Sequence, residues 1–242
     1  MTTHPSMPQR LYLMQVVTWF SPEATWPIPY PCYLIHMSDG RHILIDTGWP
    51  EELPSRPGLQ AGKNVVEQLA LLDLQPADIA MLICTHFDLD HAGRHSAFTK
   101  AELIVQRQHY ELARSGYPRL APARPMWDHP DLHYRLVDGD TELLPGIELI
   151  ETHGHVRGHQ SVLVRLPHIG PVLLTIDAVT AQNYFTPDRQ PHPLDDDQEG
   201  DLGRAGARKL IGVTEREQVT LVIFGHDGQQ WQTLKKAPEY YE

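Results

Sequence analysis

The stretch Thr85-His86-Phe87-Asp88-Leu89-Asp90-His91-Ala92-Gly93 decides the fold. Four of its nine side chains can bind a metal, and they fall at positions 1, 3, 5 and 6 counted from His86. A regular helix or strand scatters such closely spaced groups over its faces. A loop leaving a strand can aim them at one point. The apolar run at 79–84, directly before them, reads as the buried strand that delivers His86.

Working outward, metal-binding side chains recur past two further apolar runs: Asp177 after 172–176, and His226 after 220–224. His155 stands in the stretch Gly154-His155-Val156-Arg157-Gly158-His159. Taken singly, His226 reads as a loop histidine and Asp177 as a turn-former or helix cap. The set is more telling, because rigid strands that each hand a ligand to a loop are how a layered α/β fold builds a site. Imidazoles and carboxylates with no thiolate nearby point to a catalytic Zn, Fe, Mn or Co centre and away from a structural zinc. Two ions a few ångströms apart need about seven ligands and a bridging carboxylate, and they hold a water whose pKa falls near 7.

Composition narrows the function. The chain has 242 residues, 41% of them hydrophobic, which supports a real core and is read as a single domain over 1–242. A net charge of −11 with no basic tract argues against nucleic acid or an anionic membrane as partner. The acidic triplet Asp195-Asp196-Asp197 reads as a solvated loop. Two cysteines are too few for a disulfide framework and fit a reducing compartment; Cys84 reads as a buried, inert thiol. Met1–Gln9 has no signal-peptide pattern, and no stretch reaches the ~20 apolar residues of a membrane span. A cytoplasmic protein is expected, with most of its 15 histidines on the surface.

Strands are predicted at 10–20, 32–37, 41–46, 79–84, 103–105, 132–137, 147–152, 160–166, 172–176 and 220–224, and helices at 65–74, 107–114 and 202–217. Prolines at 22, 27, 29 and 31 predict a stiff extended loop over 21–31. Prolines at 118, 122, 125 and 130 predict a loop over the site across 116–130, and 186–200 also reads as loop. This order suggests two sheets with helices outside them.

The motifs HFDLDH (86–91), THGHVRGH (152–159), LLTID (173–177) and FGHD (224–227), with the Asp46-Thr47-Gly48 turn, resemble the metallo-β-lactamase superfamily. VQRQHYELA (105–113), LLTIDA (173–178), IFGHD (223–227) and PEYYE (238–242) resemble the N-acyl homoserine lactonases within it. The resemblance implies an αββα sandwich of two mixed β-sheets flanked by helices. It implies a first metal on His86 and His155, with Asp88 where the family has histidine, and a second on Asp90, His91 and His226. Asp177 would bridge them, and Asp46 and His159 would support the ligands from behind. Two divalent ions per chain are expected, Zn by family, with Fe or Mn favoured by the oxygen donor of Asp88.

The activity implied is hydrolysis of a cyclic ester, N-acyl homoserine lactones first among them (quorum quenching). A metal-bridging hydroxide would attack, with Asp90 as the catalytic residue passing a proton to the leaving alkoxide. Related lactonases place a tyrosine where this chain has Thr180, which is too short to reach a substrate carbonyl; Tyr184 is a replacement one turn on. Trp26 and Tyr30, together with Trp19, Phe20 and Trp49, are candidates to line an acyl groove. The partner expected is a small-molecule lactone or ester, acted on by a monomer or homodimer. Two alternatives stand beside this one: a thioester, phosphodiester or other ester hydrolase on the same scaffold, or a metal-poor binder that has lost catalysis.

Overall fold

A computed structural model describes residues 5–50 and 57–242. The first four residues of the Met1–Gln9 segment lie outside the described residues. The chain opens with two long strands, β1 (Pro8–Trp19) and β2 (Ile28–Met37), followed by β3 (His42–Ile45) and β4 (Leu59–Ala61). Helix α1 (Val65–Ala70), β5 (Ile79–Ile83), the single turn α2 (Leu89–Ala92), β6 (Glu102–Gln106) and α3 (Arg107–Arg114) come next. After α4 (Arg124–Trp127) come β7 (His133–Val137), β8 (Thr141–Leu144), β9 (Ile147–Glu151), β10 (Gln160–Leu166) and β11 (Gly170–Ile176). Helix α5 (Asp201–Arg216), β12 (Leu221–Phe224) and α6 (Gly228–Trp231) complete the order.

The strands make two sheets, ordered β4-β1-β2-β3-β5-β6-β7 and β12-β11-β10-β9-β8. Both are mixed: β3, β5, β6 and β7 run parallel to one another, as do β11 and β12, while the remaining pairs are antiparallel. Side-chain alternation places the layers. In β1, Leu11 and Leu13 face the second sheet and meet Leu149, Val162 and Leu174, whereas Met14 and Val16 face outward toward Val65 and Leu69 of α1. The outer face of the second sheet, with Ile150, Leu163 and Leu173, is covered by Ala207, Leu210 and Val213 of α5. Helices therefore lie outside both sheets, in the expected αββα sandwich.

The proline-bearing segments depart from the sequence reading. Strand β2 begins at Ile28, so Pro29 and Pro31 lie inside it. They are tolerated because β3 pairs only with Tyr33–His36, which leaves one side of β2 open at the prolines. The 116–130 segment is not a simple loop. A 3₁₀ turn at Pro118–Leu120 and helix α4 pack into the outer core, where Trp127 stacks on Phe87 at 5.0 Å and 4° and donates to the Leu120 carbonyl. Strands β4 and β8 carry too few β-branched residues to stand out in the sequence. Cys32 and Cys84 are both free and buried, and burial pushes each thiol pKa well up, as an inert thiol requires. No described helix is long and apolar enough to cross a membrane.

Candidate metal centre

The ends of β3, β5, β11 and β12 converge at one edge of the sandwich. His86 and Asp88 follow β5 in a loop, and Asp90 and His91 sit on the single turn of α2. The cluster is thus half loop and half helix, where a loop alone was expected. Asp177 follows Ile176, a β-branched residue at φ 51°. His226 follows Gly225, where a Cβ would meet the Ile176 carbonyl oxygen at 2.4 Å. Only glycine lets the two parallel strand ends approach closely enough to bring His226 to Asp177.

Among the described residues, three groups of donor atoms form: His86, Asp88 and His155; His86, His91 and Asp177; Asp90, His91 and His226. Within each, the atoms lie within 4.8 Å of one another. Asp88 Oδ2 stands 3.4 Å from His86 Nε2 and 3.1 Å from His155 Nε2. Asp90 Oδ2 stands 3.5 Å from His91 Nε2 and 3.7 Å from His226 Nε2. Asp177 lies between the two sets, with Oδ2 at 3.4 Å from His155 Nε2 and Oδ1 at 3.4 Å from His91 Nε2 and 3.0 Å from His226 Nε2. All seven side chains named from the sequence therefore meet in one place.

The outer nitrogens of the four imidazoles explain their orientation. His91 Nδ1 is 2.8 Å from Asp46 Oδ2, and His226 Nδ1 is 2.8 Å from the Pro29 carbonyl. Thr85 Oγ1 donates to Asp46 Oδ2 at 2.6 Å, which leaves it to accept from His86 Nδ1 at 3.1 Å. His155 Nδ1 faces Asp195 Oδ1 at 3.5 Å. Three of the four Nδ1 atoms thus have an outward acceptor and the fourth, on His155, faces a carboxylate, so the Nε2 atoms turn inward. Among the described residues, His86 Nε2, His91 Nε2 and Asp177 Oδ1 are buried without a hydrogen-bond partner. Orphaned inward lone pairs beside carboxylates are what a divalent cation satisfies, so the donor set fits a metal.

The electrostatics agree. Burial would push the Asp177 carboxyl up, yet His226, His91 and His155 outweigh it and hold it well down. Asp90 is raised, first by burial and then by Asp177 and Asp88, against the pull of His91 and His226. Burial lowers His155, but Asp177, Asp195 and Asp88 raise it to about 9, so the carboxylates around it favour positive charge at this position.

His159 and Asp46 lie behind the cluster: His159 Nδ1 meets Thr152 Oγ1 at 2.8 Å, its Nε2 accepts from the Asp177 backbone at 3.2 Å, and Asp46 Oδ2 meets His91 Nδ1. Trp26, Tyr184 and His226 line one cavity of about 960 Å³; Tyr30, Trp49, Asp88, Asp90 and Arg119 line another of about 490 Å³. Thr180 is buried and lines neither cavity; its carbonyl accepts from the His226 backbone at 2.8 Å.

Sequence reasoning missed Arg119 and misread the acidic triplet. Arg119 Nη2 lies 2.5 Å from Asp88 Oδ2 and 2.7 Å from His155 Nε2, and its Nη1 donates to Asp196 at 2.9 Å. The triplet does lie in a loop, but only Asp196 is exposed: Asp195 is 3% exposed and paired with the fully buried Arg189 at 2.7 Å, and Asp197 caps α5 through Leu202 and Gly203. The Arg189 pairing offsets part of the cost of burying Asp195. Six of the histidines, His86, His91, His95, His109, His155 and His159, are buried.

A family model described as the metallo-beta-lactamase superfamily matches residues 25–226. The chain belongs to that superfamily. Within it, the chain groups with the N-acyl homoserine lactonases. It is 34% identical over 229 residues to N-acyl homoserine lactonase AiiA of Bacillus thuringiensis subsp. kurstaki, covering 88% of this chain and 87% of that one. It superimposes on a crystal structure of a quorum-quenching N-acyl homoserine lactone lactonase with a TM-score of 0.86 at 29% identity, over 98% of this chain and 100% of that one. A solved N-acyl homoserine lactone hydrolase with N-hexanoyl-L-homoserine bound at its catalytic metal centre gives a TM-score of 0.82 at 28% identity, over 97% and 100% of the two chains.

Two outcomes follow from this geometry. Asp46→Asn suits the positive φ of 58° at that position but exchanges one acceptor oxygen for a donor among three hydrogen bonds. Metal affinity, read by competition with a chromophoric chelator, should fall roughly 10–100-fold. The second outcome concerns His109, whose Nε2 accepts from the Phe87 backbone at 2.8 Å. Burial lowers its pKa from 6.5 to about 4, and burial lowers His95 to about 3. Unfolded imidazoles take up protons first, so stability present above pH 6.5 is lost as pH falls toward the folded values. Urea midpoints should drop across that window, and His109→Gln should flatten the drop.

Proposed function

We propose that this protein opens the ring of N-acyl homoserine lactones by metal-dependent hydrolysis, and so quenches acyl-homoserine signals. The observation that carries the reading is the inward convergence of four imidazole Nε2 atoms and three carboxylates on one edge of the sandwich. Similarity to lactonases over most of the chain supports the choice of substrate.

In this reading the centre holds two divalent ions, zinc by resemblance. His86, Asp88 and His155 would hold one ion, Asp90, His91 and His226 the other, and Asp177 would serve both. The oxygen donor of Asp88 favours a harder ion such as Fe(II) or Mn at the first position. Such ions supply an activated water at neutral pH and a Lewis acid for the ester carbonyl.

The residues do the rest. The raised carboxyl of Asp90 can take one proton of the attacking water and return it to the ring oxygen as the acyl C–O bond breaks, leaving an alcohol and a carboxylic acid that then loses its proton to solvent. Thr85 and Asp46 keep His86 and His91 in the tautomers that face inward. Tyr30, on the wall of the cavity that Asp88 and Asp90 also line, is placed for the lactone; Trp26 and Tyr184, beside His226, are placed for an acyl chain.

The deciding experiment is a panel on protein of defined metal content: homoserine lactones of graded chain length, γ-butyrolactone, a thioester and a phosphodiester. The lactones should be turned over fastest, and a faster phosphodiester or thioester would reassign the substrate. Chelator treatment should abolish turnover and divalent metal restore it. Asp90→Asn should depress kcat by about 10²-fold or more, the scale of a lost general acid–base group.

A further inference from the structure

Arg119 occupies ground that the first metal position needs. Its Nη2 contacts Asp88 Oδ2 and His155 Nε2, two of the three donors there, and its Nε reaches Asp88 Oδ1 at 2.8 Å. Asp88 thus receives a two-pronged guanidinium contact, the strong geometry for a carboxylate. A histidine at position 88 could not form that pair. The competition is sharpest at His155, where Nη2 stands 2.7 Å from Nε2. A metal ion bound to that nitrogen needs the same space and the nitrogen's one in-plane lone pair, so the guanidinium has to move away first.

The guanidinium is also well anchored. Nη1 donates to the Leu194 carbonyl at 2.7 Å, the His155 carbonyl at 3.1 Å and Asp196 Oδ1 at 2.9 Å. The second position carries no such occupant among the described residues. Asp90, His91 and His226 face one another and Asp177, with His91 Nε2 unpaired by hydrogen bonds.

We propose that Arg119 is a built-in competitor for the first metal ion, so that the two positions differ widely in affinity. One ion binds tightly at Asp90, His91 and His226. The other binds only by displacing the guanidinium from His155. In the one-ion form Arg119 serves as the second cation, balancing Asp88 where the ion would otherwise do so. This rests on the two-position reading above and adds to it a control on metal loading that resides outside the ligands.

The test is metal titration of chelator-stripped protein with Zn(II) and, separately, Mn(II), followed by isothermal calorimetry and checked by elemental analysis after equilibrium dialysis. Wild type should show two unequal affinities. Arg119→Met should tighten the weaker one by roughly tenfold or more, the scale of one charged hydrogen bond, and leave the stronger unchanged. Arg119→Lys, which keeps the charge but loses the planar fork, should fall between and serves if the methionine variant does not fold. In metal-free protein, the ¹⁵N resonance of His155 Nε2 should move on either substitution. Two affinities that neither substitution alters overturn the proposal while leaving a two-metal centre intact. No metal uptake by any form overturns the metallohydrolase reading itself.

Discussion

Three carboxylates, Asp88, Asp90 and Asp177, stand side by side at the closed edge of the sandwich, and the centre depends on positive charge to hold them there. At the spacings observed, like charges in a poorly solvated site repel strongly. The fold answers in two ways. Four imidazoles interleave with the carboxylates, and a guanidinium enters from the segment before α4. The balancing groups come from both sheets, His86 and His91 after β5 and His155 and His226 after β9 and β12, so the site forms only once both sheets are assembled.

Behind that inner ring lies a second layer that fixes orientation. Asp46 ties the end of β3 to Thr85 at the end of β5 and to His91 on α2. Pro29 in β2 takes the outer nitrogen of His226, and Asp195 faces that of His155. One layer supplies donors and the other removes their freedom to turn away, which is how a fold preorganises a metal site.

Much of this was legible in the sequence. The apolar runs before His86, Asp177 and His226 announced buried strands, and the spacing of 86–91 announced convergence, because burial and periodicity leave a direct trace in residue order. What escaped notice did so for physical reasons. A lone arginine among the prolines of 116–130 carries no periodic signal, and its role appears only when Asp88 and His155 are brought to it. Asp195 looked solvated because an acidic triplet usually is; its partner Arg189 precedes it by six residues through a loop no pattern describes. The short strands β4 and β8 are set by their neighbours in the sheet more than by their own composition.

Ile176 carries a wider consequence. A β-branched residue in left-handed backbone costs on the order of 1–3 kcal/mol, and this one is buried at 1% exposure in the core between the sheets. Glycine would relax the backbone there but empty the core; any larger relief would turn the next carboxylate away from its imidazoles. Heat tolerance and ion geometry therefore compete at a single peptide unit. A lineage of this protein moving to hotter surroundings has to find its added stability elsewhere, in the helices and loops remote from that bend.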